Sequence, residues 1–224
     1  MPPRLLPFVA AACVAFPATA QVRVQAGIGL AASSALVEDF IVKPITVRPA
    51  LAPTLWFALD GRLDPTYRIG VGLGVARSTL RQHTEGQTSD IVTCSRIFGT
   101  MACWVEQHTE QLTYDIVTLT VWQPTIRVSR TLNALEVGAR GGLQIYQAAQ
   151  PIGLFLYGGT ITPTVGVDAG LPGLRLGSLR VGLTADWMIS RFSTSTLRLF
   201  GFRGKQMAHR FGLRIAVAGG HRAP

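Results

Sequence analysis

Residues 67–76 read YRIGVGLGVA, and they admit very few folds. Tyr67, Ile69, Val71, Leu73 and Val75 alternate with Arg68, Gly70, Gly72, Gly74 and Ala76. A period of two puts the first set on one face of an extended strand and the second on the other. A helix would need apolar positions three and four apart, and here they never shift to that spacing. One face is continuous hydrocarbon; the other mixes glycine with charge.

The pattern recurs along the chain. VRVQAGIGLA (22–31), PALAPTLWFAL (49–59), LEVGARGGLQIYQ (135–147), TITPTVGVDAG (160–170), LRVGLTADWMI (179–189) and HRFGLRIAVA (209–218) all alternate. LTYDIVTLTVWQPTIRV (112–128) makes the eighth segment, apolar on both faces and blurred near Pro124. About ten residues is the length a tilted strand needs to cross a bilayer core. The links run long (32–48), short (60–66), very long (77–111), short (129–134), then 147–159, a shorter 171–178 and a long 190–208. That order predicts an all-β, eight-stranded, antiparallel up-and-down transmembrane barrel with long extracellular loops, short periplasmic turns and both chain ends on the turn side.

Alternation alone leaves open which face meets water, and the glycines argue for the answer. Gly27, Gly29, Gly70, Gly72, Gly74, Gly138, Gly142, Gly166, Gly182 and Gly212 all fall in the polar set. Glycine on a solvated strand face weakens the strand without packing against anything, whereas in a narrow lumen it makes room for long neighbours. The predicted lumen therefore holds Arg23, Arg68, Glu136, Arg140, Asp168, Arg180, Asp186, Arg210 and Arg214, with the acids pairing against the arginines because an unpaired buried charge costs several kcal/mol. The apolar set then faces lipid. Phe57 and Tyr67 on one side, and Tyr157, Trp187 and Phe192 on the other, are candidates for interfacial girdles. Pro53, Pro124 and Pro163 run against a closed barrel, since proline removes a ladder donor; a bulge at Gln123–Pro124 would reconcile one of them.

The first twenty residues, MPPRLLPFVAAACVAFPATA, read as a secretory signal peptide: Arg4, an apolar stretch, then Ala18-Thr19-Ala20. Residues 21–224 then form the barrel. The formal charge of +9 is carried almost wholly by arginine, spread over strands and loops without a basic helix or finger motif, so nucleic acid is not an expected partner. In an oxidising compartment Cys94 and Cys103 suit a disulfide worth up to roughly 3 kcal/mol; a zinc site with His83 and His108 is the alternative, without a recognised ligand spacing.

Carried by these alternating segments, the chain resembles the small eight-stranded outer-membrane barrels, the group of the OmpA transmembrane domain, OmpX and the opacity-type porin-like proteins. The most specific local element is HRFGLRIAV, whose Phe211, Leu213, Ile215 and Val217 alternate as in the C-terminal signal such barrels present to the assembly machinery; here the chain runs on through GGHRAP. The resemblance implies location in the bacterial outer membrane, a lumen plugged by side chains, contact with outer-membrane lipids, a monomer, and function carried by the loops.

Catalytic chemistry is sparse. The His-x-Ser pair of lipid A deacylase barrels is absent, because His209 is followed by Arg210 and Phe211. His83 and His108, with Glu85, Glu106 and Glu110 nearby, could form an acid–base or metal cluster or be solvated loop residues. No cofactor is expected. The last loop interleaves Arg191, Arg198, Arg203 and Lys205 with Phe192, Phe200 and Phe202, which suits lipopolysaccharide phosphates, or else a β-ribbon extending the strands. The leading expectation is a non-enzymatic barrel with a structural or surface-binding role. The alternatives are an outer-membrane hydrolase acting on lipid or peptide, and a soluble periplasmic barrel with its oily face inward around an apolar ligand.

Overall fold

The computed structural model describes residues 22–39, 45–97, 100–155, 158–171, 173–199 and 207–220; the expected signal peptide (1–20), Tyr157, Phe200, Phe202, Arg203 and Lys205 lie outside them. In chain order the elements are β1 (Val22–Ser33), β2 (Val37–Asp39), β3 (Ile45–Pro49), β4 (Ala52–Arg62), β5 (Tyr67–Ile97), β6 (Thr100–Leu132), β7 (Leu135–Ala148), β8 (Gly159–Leu171), β9 (Arg175–Leu176), β10 (Leu179–Arg191), the short helix α1 (Ser195–Leu199) and β11 (Met207–Gly220). Eight of the strands close a ring of antiparallel pairs in the order β1-β4-β5-β6-β7-β8-β10-β11, and β11 returns to β1 from Arg23↔Gly220 to Ser33↔Arg210. Closure removes every edge from this part of the sheet.

The side chains stand as the glycine argument requires. Leu73, Leu143 and Leu183 point away from the ring and are 36%, 42% and 45% exposed, whereas Arg140 and Arg214 point inward and are 6% and 7% exposed. Ile28, Leu55, Phe57, Ile126, Ile161, Val165, Phe211 and Ile215 extend the apolar wall around the barrel. A barrel with its oily face inward is thereby excluded.

The prolines fit because each missing donor falls where a ladder stops or is interrupted. Pro163 pairs with Leu143 of β7, and on its other side the β8/β10 ladder ends at Thr164. Pro53 pairs with Leu30 of β1. Toward β5 it lies in a one-residue offset: Pro49 opposes Leu80 while Thr54 opposes Ala76, five steps against four. Pro124 lies opposite Leu73 in an unbroken β5/β6 register, and the β6/β7 ladder skips Gln123 and Pro124 between Trp122↔Ile145 and Thr125↔Gly142. The bulge expected at Gln123–Pro124 is absent, because the same β6/β7 register resumes beyond the gap. Val117, Leu119, Val121, Gln123, Thr125, Arg127 and Ser129 all stay buried in strict alternation. The blur in the sequence came from apolar residues that genuinely face inward.

Two connections differ from the expected loops. Residues 77–111 do not form an irregular loop: β5 and β6 pair continuously from Tyr67↔Arg130 out to Ile97↔Thr100, with shifts at Leu80/Arg81 and Glu85/Thr88. Their outer halves make a ribbon standing beyond the ring, and its register sets Cys94 directly opposite Cys103, the close approach a disulfide needs. At the other end, the turn between β4 and β5 is tied by Asp64, whose carboxylate accepts from the Thr66 amide (2.7 Å), the Thr66 hydroxyl (2.9 Å) and the Tyr67 amide (2.8 Å). Those donors hold its pKa below the ordinary aspartate value.

Candidate functional site

The inward faces form three tiers between the turn end and the loop end. The turn-side tier is ionic. Arg23 on β1 reaches across the lumen to Glu136 on β7, the stave four places around the ring, with both terminal nitrogens at 2.8 Å. It also holds Asp60 of β4 at 2.9 Å, and Gln25 donates to the same carboxylate. Arg127 of β6 links Glu136 (2.5 Å) to Asp168 of β8 (2.6 Å), and Arg140 closes the chain on Asp168 at 2.6 Å. Acid and base thus alternate as Asp60, Arg23, Glu136, Arg127, Asp168, Arg140; Glu136 and Asp168 each serve two cations closely, and Asp60 has Arg127 at 4.0 Å besides Arg23. In a low-dielectric interior this mutual pairing offsets the desolvation of each charge.

The inward glycines find their reason here. A Cβ on Gly138 would lie 2.8 Å from the Asp168 carboxylate and 2.9 Å from Arg127 Nε, and one on Gly70 would run into Asp60. The network has no room for another side chain at either position.

The middle tier is built around Trp56 of β4. The guanidinium of Arg214 lies 4.4 Å from its ring centroid and that of Arg140 lies 5.2 Å away, both close enough for cation–π attraction. Asp186 accepts from Arg214 Nη1 at 2.9 Å, and Arg210 donates to Gln123 Oε1 at 2.5 Å. Toward the loop end, Gln144 Oε1 accepts from Tyr146 (2.5 Å) and Ser190 (3.1 Å).

The loop-side tier is apolar. Leu36, Val47, Leu80, Leu119, Phe155, Phe192 and Leu197 pack into one buried cluster drawn from the barrel wall and three connections. Phe192 meets Tyr146 edge-on at 5.2 Å and Phe155 at 6.0 Å. Beside it, Thr194 Oγ1 accepts from the Leu197 amide (3.1 Å) at the start of α1, capping one of the orphan donors there.

Several sequence-derived positions therefore move. Arg180 is exposed at the turn-end rim, because the charged face of β10 leaves the enclosed lumen before reaching it. Phe192 belongs to neither an interfacial girdle nor a surface ribbon: it is fully buried in the plug, and the segment after it turns into α1. Arg191 and Arg198 are exposed. Sequence reasoning missed Asp60, placed in the short link 60–66, and Arg127, hidden in the blurred segment. Continuing the alternation of 49–59 by one residue would have found Asp60, and carrying it unbroken through Pro124 would have put Arg127 on the inward face with Val121, Gln123 and Thr125.

The histidine cluster is not assembled. His83 pairs in register with Thr113 and His108 with Ser89, six residues further along β5, about 20 Å of strand. His83 accepts from Arg48 Nε at 3.1 Å and lies 2.8 Å from Thr113 Oγ1. Cys94 lies eleven residues beyond His83, so the four proposed zinc ligands do not converge. Among the described residues no group of three His, Cys, Asp or Glu is placed to hold a metal ion.

No protein-family model matches the chain, and no curated protein matches it. Among solved structures it is similar to Neisserial surface protein A (11% identity over 88% of this chain and 96% of that one, TM-score 0.42). It is also similar to the outer membrane protein AlkL in DMPC lipid bilayers (9% identity, 93% and 94% coverage, TM-score 0.49). A third likeness is to the outer membrane protease OmpT from Escherichia coli (10% identity, 91% and 98% coverage, TM-score 0.34). The barrel assignment rests on this chain's own pairing and exposure.

Proposed function

We propose that this chain is an integral outer-membrane barrel, exported by its N-terminal signal, with a closed lumen and a non-enzymatic structural or surface-binding role exercised through its loop end. The observation that carries the reading is the pairing of a continuous apolar wall with an interior occupied at every level: ions at the turn side, Trp56 and arginines in the middle, Phe155 and Phe192 at the top. An eight-stranded ring has an interior that its own side chains fill. The β5/β6 ribbon is then the part offered to the outside, and a Cys94–Cys103 bridge clamps its far end. Exposed Arg191, at the end of β10, and Arg198, in α1, belong to the loop end of the ring, where cations can meet lipopolysaccharide phosphates.

Reconstitution into planar bilayers tests the closed lumen. The expected record shows no steady open-channel conductance, and sustained ohmic current would overturn the reading. The clamp is tested by thiol labelling of the exported protein: Cys94 and Cys103 should react only after reduction.

A further inference from the structure

Beside Trp56 the lumen keeps a small cavity, lined by Gln123, Asp186, Arg210, Gly212 and Arg214 among others, with room for about one water-sized particle. Its polar groups are out of balance. Arg214 Nη1 is taken by Asp186, but Arg214 Nε and Nη2 are buried without an acceptor among the described residues, and so is Gln123 Nε2. Gln123 Oε1 already accepts from Arg210, which fixes its amide with the nitrogen as the unpaired end. Among the described residues no carboxylate lies within ion-pair distance of Arg210, whereas Asp60, Glu136 and Asp168 are all engaged by Arg23, Arg127 and Arg140. Asp186, the one carboxylate lining the cavity, thus stands against two guanidinium groups.

We propose that this cavity is a binding site for a single small anion of the halide class, chloride where that is the ambient salt. Every unmatched atom around it is a donor. A water molecule would bring protons of its own to place and would leave the second arginine uncompensated; an anion accepts from Arg214 Nε, Arg214 Nη2 and Gln123 Nε2 together and balances Arg210. The cavity's size excludes carboxylates and phosphates. Neutralising the middle tier would also tie the ionic chain below it to the apolar plug above.

The test uses the full-length mature barrel refolded in detergent with bromide as the only halide. Anomalous diffraction should give one bromide peak inside the ring, within hydrogen-bond distance of Arg214 and Gln123, and the peak should vanish in Arg214→Gln. Should that variant fail to fold, the wild type still decides the matter. Its unfolding midpoint should rise and saturate as chloride replaces gluconate at constant ionic strength, as for any ligand that binds only the folded state. A lumen without anomalous signal, or a midpoint indifferent to the anion, overturns the proposal.

Discussion

The two ends of the lumen solve the same packing problem with opposite chemistry. At the turn side, six charged side chains from Asp60 to Arg140 fill the interior by pairing. At the loop side, Leu80, Leu119, Phe155 and Phe192 fill it with hydrocarbon. The ionic half is directional: removing one partner leaves a buried charge without compensation. The apolar half is graded, losing area and dispersion contacts with each atom removed. The ionic half should therefore fix the stagger of the staves, while the plug seals the end where the connections are long.

Substitutions sharpen this contrast. Asp168→Asn should do the most damage, because Arg127 and Arg140 both bond that carboxylate; breaking such a pair costs about 3–5 kcal/mol, read as a lower urea midpoint in lipid vesicles. Leu119→Ala should cost about 2–5 kcal/mol by cavity formation. Its midpoint shift should be the same at low and high salt. Strictly additive losses on combining Asp168→Asn with Arg140→Gln, residues that bond each other, would erase the distinction between the halves.

On the outer wall the effect should be set by depth. Val165→Arg places a cation on the apolar exterior and should cost about 2–4 kcal/mol if the site lies near the bilayer midplane. The same variant should be far better tolerated in detergent.

The smallest effect belongs to the Asp64 turn. Its depressed pKa means that the carboxylate stabilises the folded state above the unfolded-state pKa, and that this contribution is lost as pH falls through the folded value. Asp64→Asn should lower the unfolding midpoint slightly at neutral pH and flatten that acid limb, with variant and wild type converging in acid; the shift should be small because the group is fully exposed.

The same two halves explain what could be read from the sequence. Strand faces were legible wherever apolar and polar residues separate cleanly, as in 67–76 and 209–218, because a period of two follows from backbone geometry. The plug was illegible for the converse reason. Val117, Leu119 and Val121 face inward while Trp122 and Ile126 face outward, so both faces are apolar and alternation carries no signal. Phe192 looked like a lipid anchor because a buried and a lipid-facing aromatic are the same letter. Pairing partners such as Arg23 with Glu136 depend on stagger, which no single segment encodes. The β5/β6 ribbon was hidden by its polar composition, which resembles a loop until its two halves are aligned.

Tryptophan quenching by lipids brominated in their acyl chains tests the orientation most directly. Trp187 stands on the outer wall at 40% exposure and Trp56 inside the ring at 5%. In vesicles, a variant retaining only Trp187 should lose most of its fluorescence to the brominated chains, and one retaining only Trp56 should keep it. Strong quenching of Trp56 with Trp187 untouched would contradict the barrel described here.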